Sequence, residues 1–339
     1  MLRIIALLIG LGLLAFIALQ TDLTQVWQGL LQLGLAGALA VCAVYFLAFV
    51  LDTASWQLTL PSARLNLAWL YRLWKLRMLG EALNLVLPAG SMGGEPVKAV
   101  LLKKSFEIGY HEGTASVIMA RTINLISLLL FAGIGFAVML GRDWMPDALL
   151  LAMGIGWAAL ALGVMGFYIV QRWRAASRLG VWLARGRFGR PIGKALVHLE
   201  QVDDHFVAFY LRQPGRFAGA LILALVNWMV GAFEVYAIMW FLAQPISFAD
   251  AWLIEAAAQL VRAGAFFIPA SLGAVEGVMV LIYAAMTGSG ALGLAVALIR
   301  RGRELLWVAW GFWLGWLNTP GGLAAMREST APGPPAGRE

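Results

Sequence analysis

Two apolar stretches of this chain are interrupted by the same kind of break. Leu87-Pro-Ala-Gly-Ser-Met-Gly-Gly-Glu-Pro-Val97 sits between apolar segments each too short to cross a bilayer, and Ile268-Pro-Ala-Ser-Leu-Gly-Ala-Val-Glu-Gly-Val278 repeats its pattern. In both, a glutamate follows the first proline by seven residues, so Pro88 and Glu95 match Pro269 and Glu276 at one common offset. Irregular backbone cannot face hydrocarbon, because its amide groups would lack partners; it is tolerated at membrane depth only inside protein or along a wet cavity. Paired breaks in corresponding positions of two halves point to a substrate site between them.

That reading requires a membrane protein, and the composition demands one. With 61% hydrophobic residues, 13% charged residues and a mean hydropathy of +0.81, the chain carries about half the charge of a soluble domain. The single cysteine, Cys42, excludes an intramolecular disulfide and a cysteine-based metal cluster. His111, His198 and His205 have no metal-ligand spacing, so no metal and no cofactor is expected. The net charge of +7 sits on segments flanking apolar runs and no nucleic-acid module is visible, which makes membrane lipids with anionic or zwitterionic headgroups the expected partner.

In chain order, residues 1–19 read as an uncleaved first span and about 33–51 as the second. No Lys or Arg lies between them, whereas Arg64, Arg72, Lys75 and Arg77 follow, which places the N-terminus in the cytoplasm. Residues 67–78 mix Trp69, Tyr71 and Trp74 with these cations, as in a helix at headgroup level. A re-entrant hairpin is expected at about 79–102, then spans at about 114–140 and 148–170. The loop 171–216 has nine Lys and Arg against Glu200, Asp203 and Asp204, and is read as cytoplasmic. A span at about 217–242, a hairpin entering from outside at about 249–286 and a helix at about 291–317 complete the pattern. The expected fold is therefore an all-α polytopic protein of about six full spans and two broken hairpins. Residues 1–140 and 141–319 form an inverted repeat, followed by a disordered cytoplasmic tail, 320–339.

The expected hairpin tips are Pro88, Gly90, Ser91, Gly93, Gly94 and Pro96 in the first half and Pro269, Ser271 and Gly273 in the second. Pro96 suits a first helical turn and Ser271 an N-cap, so each second arm would start near mid-membrane with its positive dipole end available to a phosphate or carboxylate. Arg121, Arg262, Arg300, Arg301, Arg303 and Glu304 fall inside expected spans, where each charge costs about 2.5–3.5 kcal/mol on insertion scales and must be paired. Glu81, Glu95, Glu255, Glu276 and Glu304 are the available partners, and Glu95 with Arg121, and Glu276 with Arg300 or Arg303, are the matching candidates at similar spacing. They can be structural ion pairs, or Glu95, Arg121, Glu276, Arg300, Arg301 and Arg303 can bind substrate, the guanidinium fork suiting a lipid phosphate.

The run Gly80-Glu-Ala-Leu-Asn84 through Leu87-Pro-Ala-Gly-Ser-Met-Gly-Gly-Glu-Pro-Val-Lys98 and Ala115-Ser-Val-Ile-Met-Ala-Arg121 resembles the lysylphosphatidylglycerol synthase transmembrane region, or flippase-like, family. So does Pro269-Ala-Ser-Leu-Gly-Ala-Val-Glu-Gly277 followed by Arg300-Arg-Gly-Arg-Glu304, which is also similar to a hopanoid-associated branch. The resemblance covers roughly residues 1–320. It implies a bacterial inner-membrane transporter with both termini cytoplasmic, moving a polar-headed lipid between leaflets without the soluble lysyl-transfer domain of the bifunctional synthases. Two other readings stand beside it: a non-catalytic partner of a lipid-synthesis enzyme docking through 171–216, and a membrane enzyme acting on lipid. No catalytic residue is assigned, since no His-Glu zinc pair, Ser-His-Asp set or Asp-rich motif is present.

Overall fold

The computed structural model describes residues 2–86, 94–172, 209, 212–266 and 268–318, and among these every regular element is helical. The helices are α1 (Leu2–Gln20), α2 (Leu23–Leu58), α3 (Leu67–Val86), α4 (Gly94–Phe106), α5 (Tyr110–Leu140), α6 (Asp147–Arg172), α7 (Pro214–Phe241), α8 (Phe248–Gly264), α9 (Ala274–Thr287) and α10 (Gly290–Asn318), with a 3-10 turn at Pro269–Ser271. Among the described residues, five segments are long and apolar enough to cross a membrane: Leu23–Leu58, Tyr110–Leu140, Asp147–Phe167, Pro214–Phe241 and Pro269–Thr287. Four of them overlap the spans expected at about 33–51, 114–140, 148–170 and 217–242, two containing them and two ending one to three residues earlier. The fifth is the second arm of the expected hairpin at 249–286.

Boundaries depart from expectation in two places. The stretch after α1 is not a loop: Asp22 Oδ1 accepts from the backbone N–H groups of Thr24 and Gln25, at 2.9 and 3.3 Å, and starts α2. Gly34, at φ 59° and ψ −177°, then kinks α2 ahead of the apolar span. The headgroup-level helix expected at 67–78 is continuous with the first hairpin arm, because nothing between Leu67 and Val86 interrupts the helix. The tips Pro88, Gly90, Ser91 and Gly93, the basic loop 173–208 and the tail lie outside the described residues.

Among the described residues, α1 to α5 and then α6 to α10 run through the same order of a helix, a kinked or continuous span, two hairpin arms and a long helix. Polar contacts group the helix ends. Ser62 donates its backbone N–H and hydroxyl to Glu112, and Arg216 donates to the Leu60 carbonyl, so the ends of α2, α3, α5 and α7 near these residues share one end of the bundle. Arg142 pairs with Asp250 at 2.9 Å, and Ser289 donates to Gln25, at the other end. The α3–α4 hairpin therefore enters from the first end and the α8–α9 hairpin from the second.

Packing is that of a protein in lipid, where the solvent does not drive helices together and close backbone approach matters more. Large apolar residues such as Leu35, Leu39, Leu151, Leu162, Leu305 and Leu306 face outward. The interior is built around Val235, Ile238, Met239, Ile254, Met279, Ile282, Tyr283 and Val296. The most extensive interface joins α2 to α7, and α3 packs on α10, so the halves interlock rather than sit side by side. In the first hairpin a Cβ on Gly94 would fall on the Gly80 carbonyl, which makes glycine obligatory for the contact between the arms.

Candidate functional site

Two charged clusters lie in the interior of the helix bundle. The first lines a cavity of about 40 Å³ between α2, α3, α4 and α5, with walls formed by Asp52, Trp56, Arg77, Glu81, Glu95, Lys98, Val117, Ala120, Arg121 and Asn124. Measured along the helices at 1.5 Å per residue, Asp52, Lys98 and Arg121 stand roughly 9 to 16 Å from the helix ends near Ser62 and Glu112. That is up to half of a hydrocarbon core about 30 Å thick.

Within this cavity the partners are unequal. Arg77 forms an ion pair with Asp52, stacks over Phe49 at 4.5 Å and reaches Glu81 only at 4.0 Å. Lys98, itself buried, donates to both carboxylate oxygens of Glu95 at 3.1 and 3.2 Å and lies 3.9 Å from Glu81. Glu81 is the most open of the carboxylates, with 36% of its side chain exposed. Arg121 is exposed to the cavity and forms no ion pair among the described residues. The expected Glu95–Arg121 bridge is thus not formed: Glu95 is taken by the lysine one turn further along its own helix.

The second cluster is closed. On α10, Arg300 holds Glu255 at 2.6 and 3.0 Å and Glu234 at 3.5 Å, while Arg303 holds Glu234 at 2.8 Å and lies 3.6 Å above the Tyr45 ring. Arg301 donates through Nε and a terminal nitrogen to Oε1 of Glu276, at 3.1 and 2.6 Å, and through its other nitrogen to Glu304 and to the Ala270 carbonyl. Arg262 takes the other oxygen of Glu304 at 2.9 Å. Four arginines thus meet four glutamates, and Glu234, Glu255 and Glu276 are 1–2% exposed. Removing a charge from such a network leaves its partner unpaired in a low-dielectric interior, so the arrangement is built to stay closed. The sequence pairing of Glu276 with Arg300 or Arg303 is replaced by Arg301, which lies on the face of α10 toward the hairpin.

Both helix N-termini at the hairpin tips are served by the protein's own side chains. Asn84 accepts from the Gly94 N–H at 2.7 Å, and Pro96 lies in the first turn of α4. In the second hairpin Glu276 reaches back to accept from the Gly273 N–H at 2.7 Å, so Gly273 rather than Ser271 occupies the N-cap of α9. Gly273 has φ 77°, and a Cβ there would meet the Gly10 carbonyl and Leu13 of α1 at 2.8 Å. Ala270 and Ser271 also have positive φ, a strained arrangement held by the Arg301 bond to Ala270.

Asp52, Arg77, Lys98 and Glu234 are the charged residues that reading from sequence missed. From sequence Arg77 reads with the cytoplasmic cations, and Asp52 lies just beyond the expected end of the second span. A lone acidic residue inside an apolar helix, as at 52 and 234, is the signal that could have found them.

The fold and these clusters define a polytopic α-helical membrane protein with a polar cavity among its helices. The chain belongs to the family described as the lysylphosphatidylglycerol synthase TM region, whose model matches residues 3–311. It is 22% identical over 274 residues to a UPF0104 membrane protein of Methanothermobacter thermautotrophicus, covering 76% of this chain and 77% of that protein. It is also 22% identical over 313 residues to a UPF0104 membrane protein of Pyrococcus horikoshii, covering 88% and 92%. No solved structure matches the chain.

Proposed function

We propose that this protein moves a phosphate-bearing polar lipid between leaflets, with the headgroup passing through the α2–α5 cavity and the tails remaining in lipid. Arg121 carries the reading, because it is a guanidinium at membrane depth, turned into a cavity and without an ion pair among the described residues. An unpaired charge there is costly unless water or a ligand serves it, and a guanidinium fork matches two phosphate oxygens. Glu81, Lys98 and Asn124 offer further polar contacts on the same walls. No covalent step is required, so the protein acts as a transporter rather than an enzyme. The order of the described helices, with hairpins entering from opposite ends, supports an inverted repeat, and the Lys and Arg asymmetry of the connecting segments favours both termini in the cytoplasm, with a bacterial inner membrane as the proposed location.

The test is movement of a headgroup-labelled phospholipid in vesicles containing purified protein. Arg121→Ala is expected to lower the rate at least tenfold while leaving thermal stability in detergent unchanged, since no ion pair is lost. Arg121→Lys should recover only part, because an ammonium keeps the charge but not the fork. An Arg121→Ala protein that moves lipid at the parent rate refutes the assignment. Parent protein that moves no lipid leaves the role of an assembly partner for a lipid-synthesis enzyme.

A further inference from the structure

The matched glutamates at the two hairpins are in different states. In the second half the hairpin glutamate is bridged to the long helix that follows: Glu276 to Arg301, at 2.6 Å, with the same arginine bound to the Ala270 carbonyl at the tip. In the first half the equivalent bridge would join Glu95 to Arg121, and it is open. Glu95 is held instead by Lys98 at 3.1 Å, and Arg121 faces the cavity.

We infer that Lys98 is a positioning residue that keeps the first hairpin unlatched, and that moving Lys98 from Glu95 to Glu81 lets Glu95 close onto Arg121. This rests on reading the halves as a repeat. Three observations carry it. Lys98 already has its alternative partner within reach, since Glu81 is 3.9 Å away and holds no closer cation. After the exchange the cavity's three carboxylates and three cations are all matched, Asp52 with Arg77, Glu81 with Lys98 and Glu95 with Arg121, so no charge is created or buried alone. Finally, the residue at the Lys98 position of the second hairpin is Met279, which is fully buried. That hairpin has no competing cation on its own helix, and its bridge is closed.

The consequence is an asymmetric machine. The α4 arm carries the exchangeable contact, and α9, stapled to α10 and wedged against α1, is the fixed support. An anionic headgroup on Arg121 would occupy the guanidinium that the latch needs, so closure would follow its departure from Arg121.

Ala120, on the cavity wall, gives a readout that does not depend on lipid movement. In a Cys42→Ala background, Ala120→Cys should react readily with a charged thiol reagent in detergent. Adding Lys98→Met, which copies the second hairpin, should slow the reaction at least tenfold, because Glu95 then latches onto Arg121. Lys98→Arg should restore the parent rate. Lys98→Met combined with Glu95→Gln should also restore it, since the latch has lost its charge. A Lys98→Met protein that labels at the parent rate overturns the inference. So does one that stays slow when Glu95→Gln is added, which would mean that the cavity has collapsed rather than latched. A protein that moves no lipid yet shows this labelling pattern would refute the transport reading and leave the latch standing.

Discussion

The same substitution at the two matched glutamates should have opposite consequences. Glu276→Gln removes the charge that receives two hydrogen bonds from Arg301, at 2.6 and 3.1 Å, in a site where the carboxylate is 2% exposed. Breaking a buried pair from one side costs about 3–5 kcal/mol, and Arg301 keeps Glu304 at 2.8 Å, so the lower end, about 3 kcal/mol, is expected. The amide can still accept from the Gly273 N–H, which removes loss of the cap as the cause. Glu95→Gln frees Lys98, but Lys98 has Glu81 within 3.9 Å and the pair borders an open cavity. Its cost should fall below the about 3–5 kcal/mol of a buried pair broken from one side, because the freed Lys98, though buried, has a second carboxylate to take up. The measurement is unfolding of both variants in one detergent, with lipid movement measured on the same preparations. Glu276→Gln should lose stability, whereas Glu95→Gln should stay folded and change transport. Equal destabilisation of the two variants, or a Glu276→Gln protein as stable as the parent, would refute the distinction between a closed network and a working cavity.

Other outcomes follow from single contacts. Gly94→Ala places a methyl on the Gly80 carbonyl and should destabilise the protein by about 1–3 kcal/mol, seen as a lower melting temperature in detergent. Tyr45→Leu removes the ring 3.6 Å beneath the Arg303 guanidinium while keeping bulk, and should cost about 2 kcal/mol in the same assay. Cysteines replacing Lys104 and Ser289, in a Cys42→Ala background, should label from opposite sides of intact vesicles; labelling from one side would contradict the inverted arrangement of the halves.

Much of the fold was legible because membrane depth imposes a simple rule. Every backbone group must be paired within its own segment, so apolar length and Gly/Pro breaks locate helices almost directly. The spans α5, α6 and α7 and both hairpins follow from that rule. The α3 helix was harder to read because its first turns, with Arg72, Lys75 and Arg77 beside Trp69 and Trp74, have the composition of a surface helix. The fold shows why: Arg72 stacks with Trp69 and Phe106, at 5.1 and 5.6 Å, while Arg77, further along, turns inward to Asp52.

The sequence by itself determined that the chain is helical and membrane-spanning, that two breaks recur at one offset, and that the charges inside the spans must find partners. Which partner each charge takes was decided by the tertiary structure. Glu95 and Arg121 have the spacing of a pair, as do Glu276 and the arginines of α10, yet only the second pair is joined. The reason is local geometry: Lys98 rises one turn above Glu95 on the same face of α4 and reaches it first, whereas Met279 in the second hairpin offers no charge and leaves Glu276 to Arg301. Spacing along a chain sets which residues can share a depth in the membrane, but the direction of each side chain around its helix sets which of them touch.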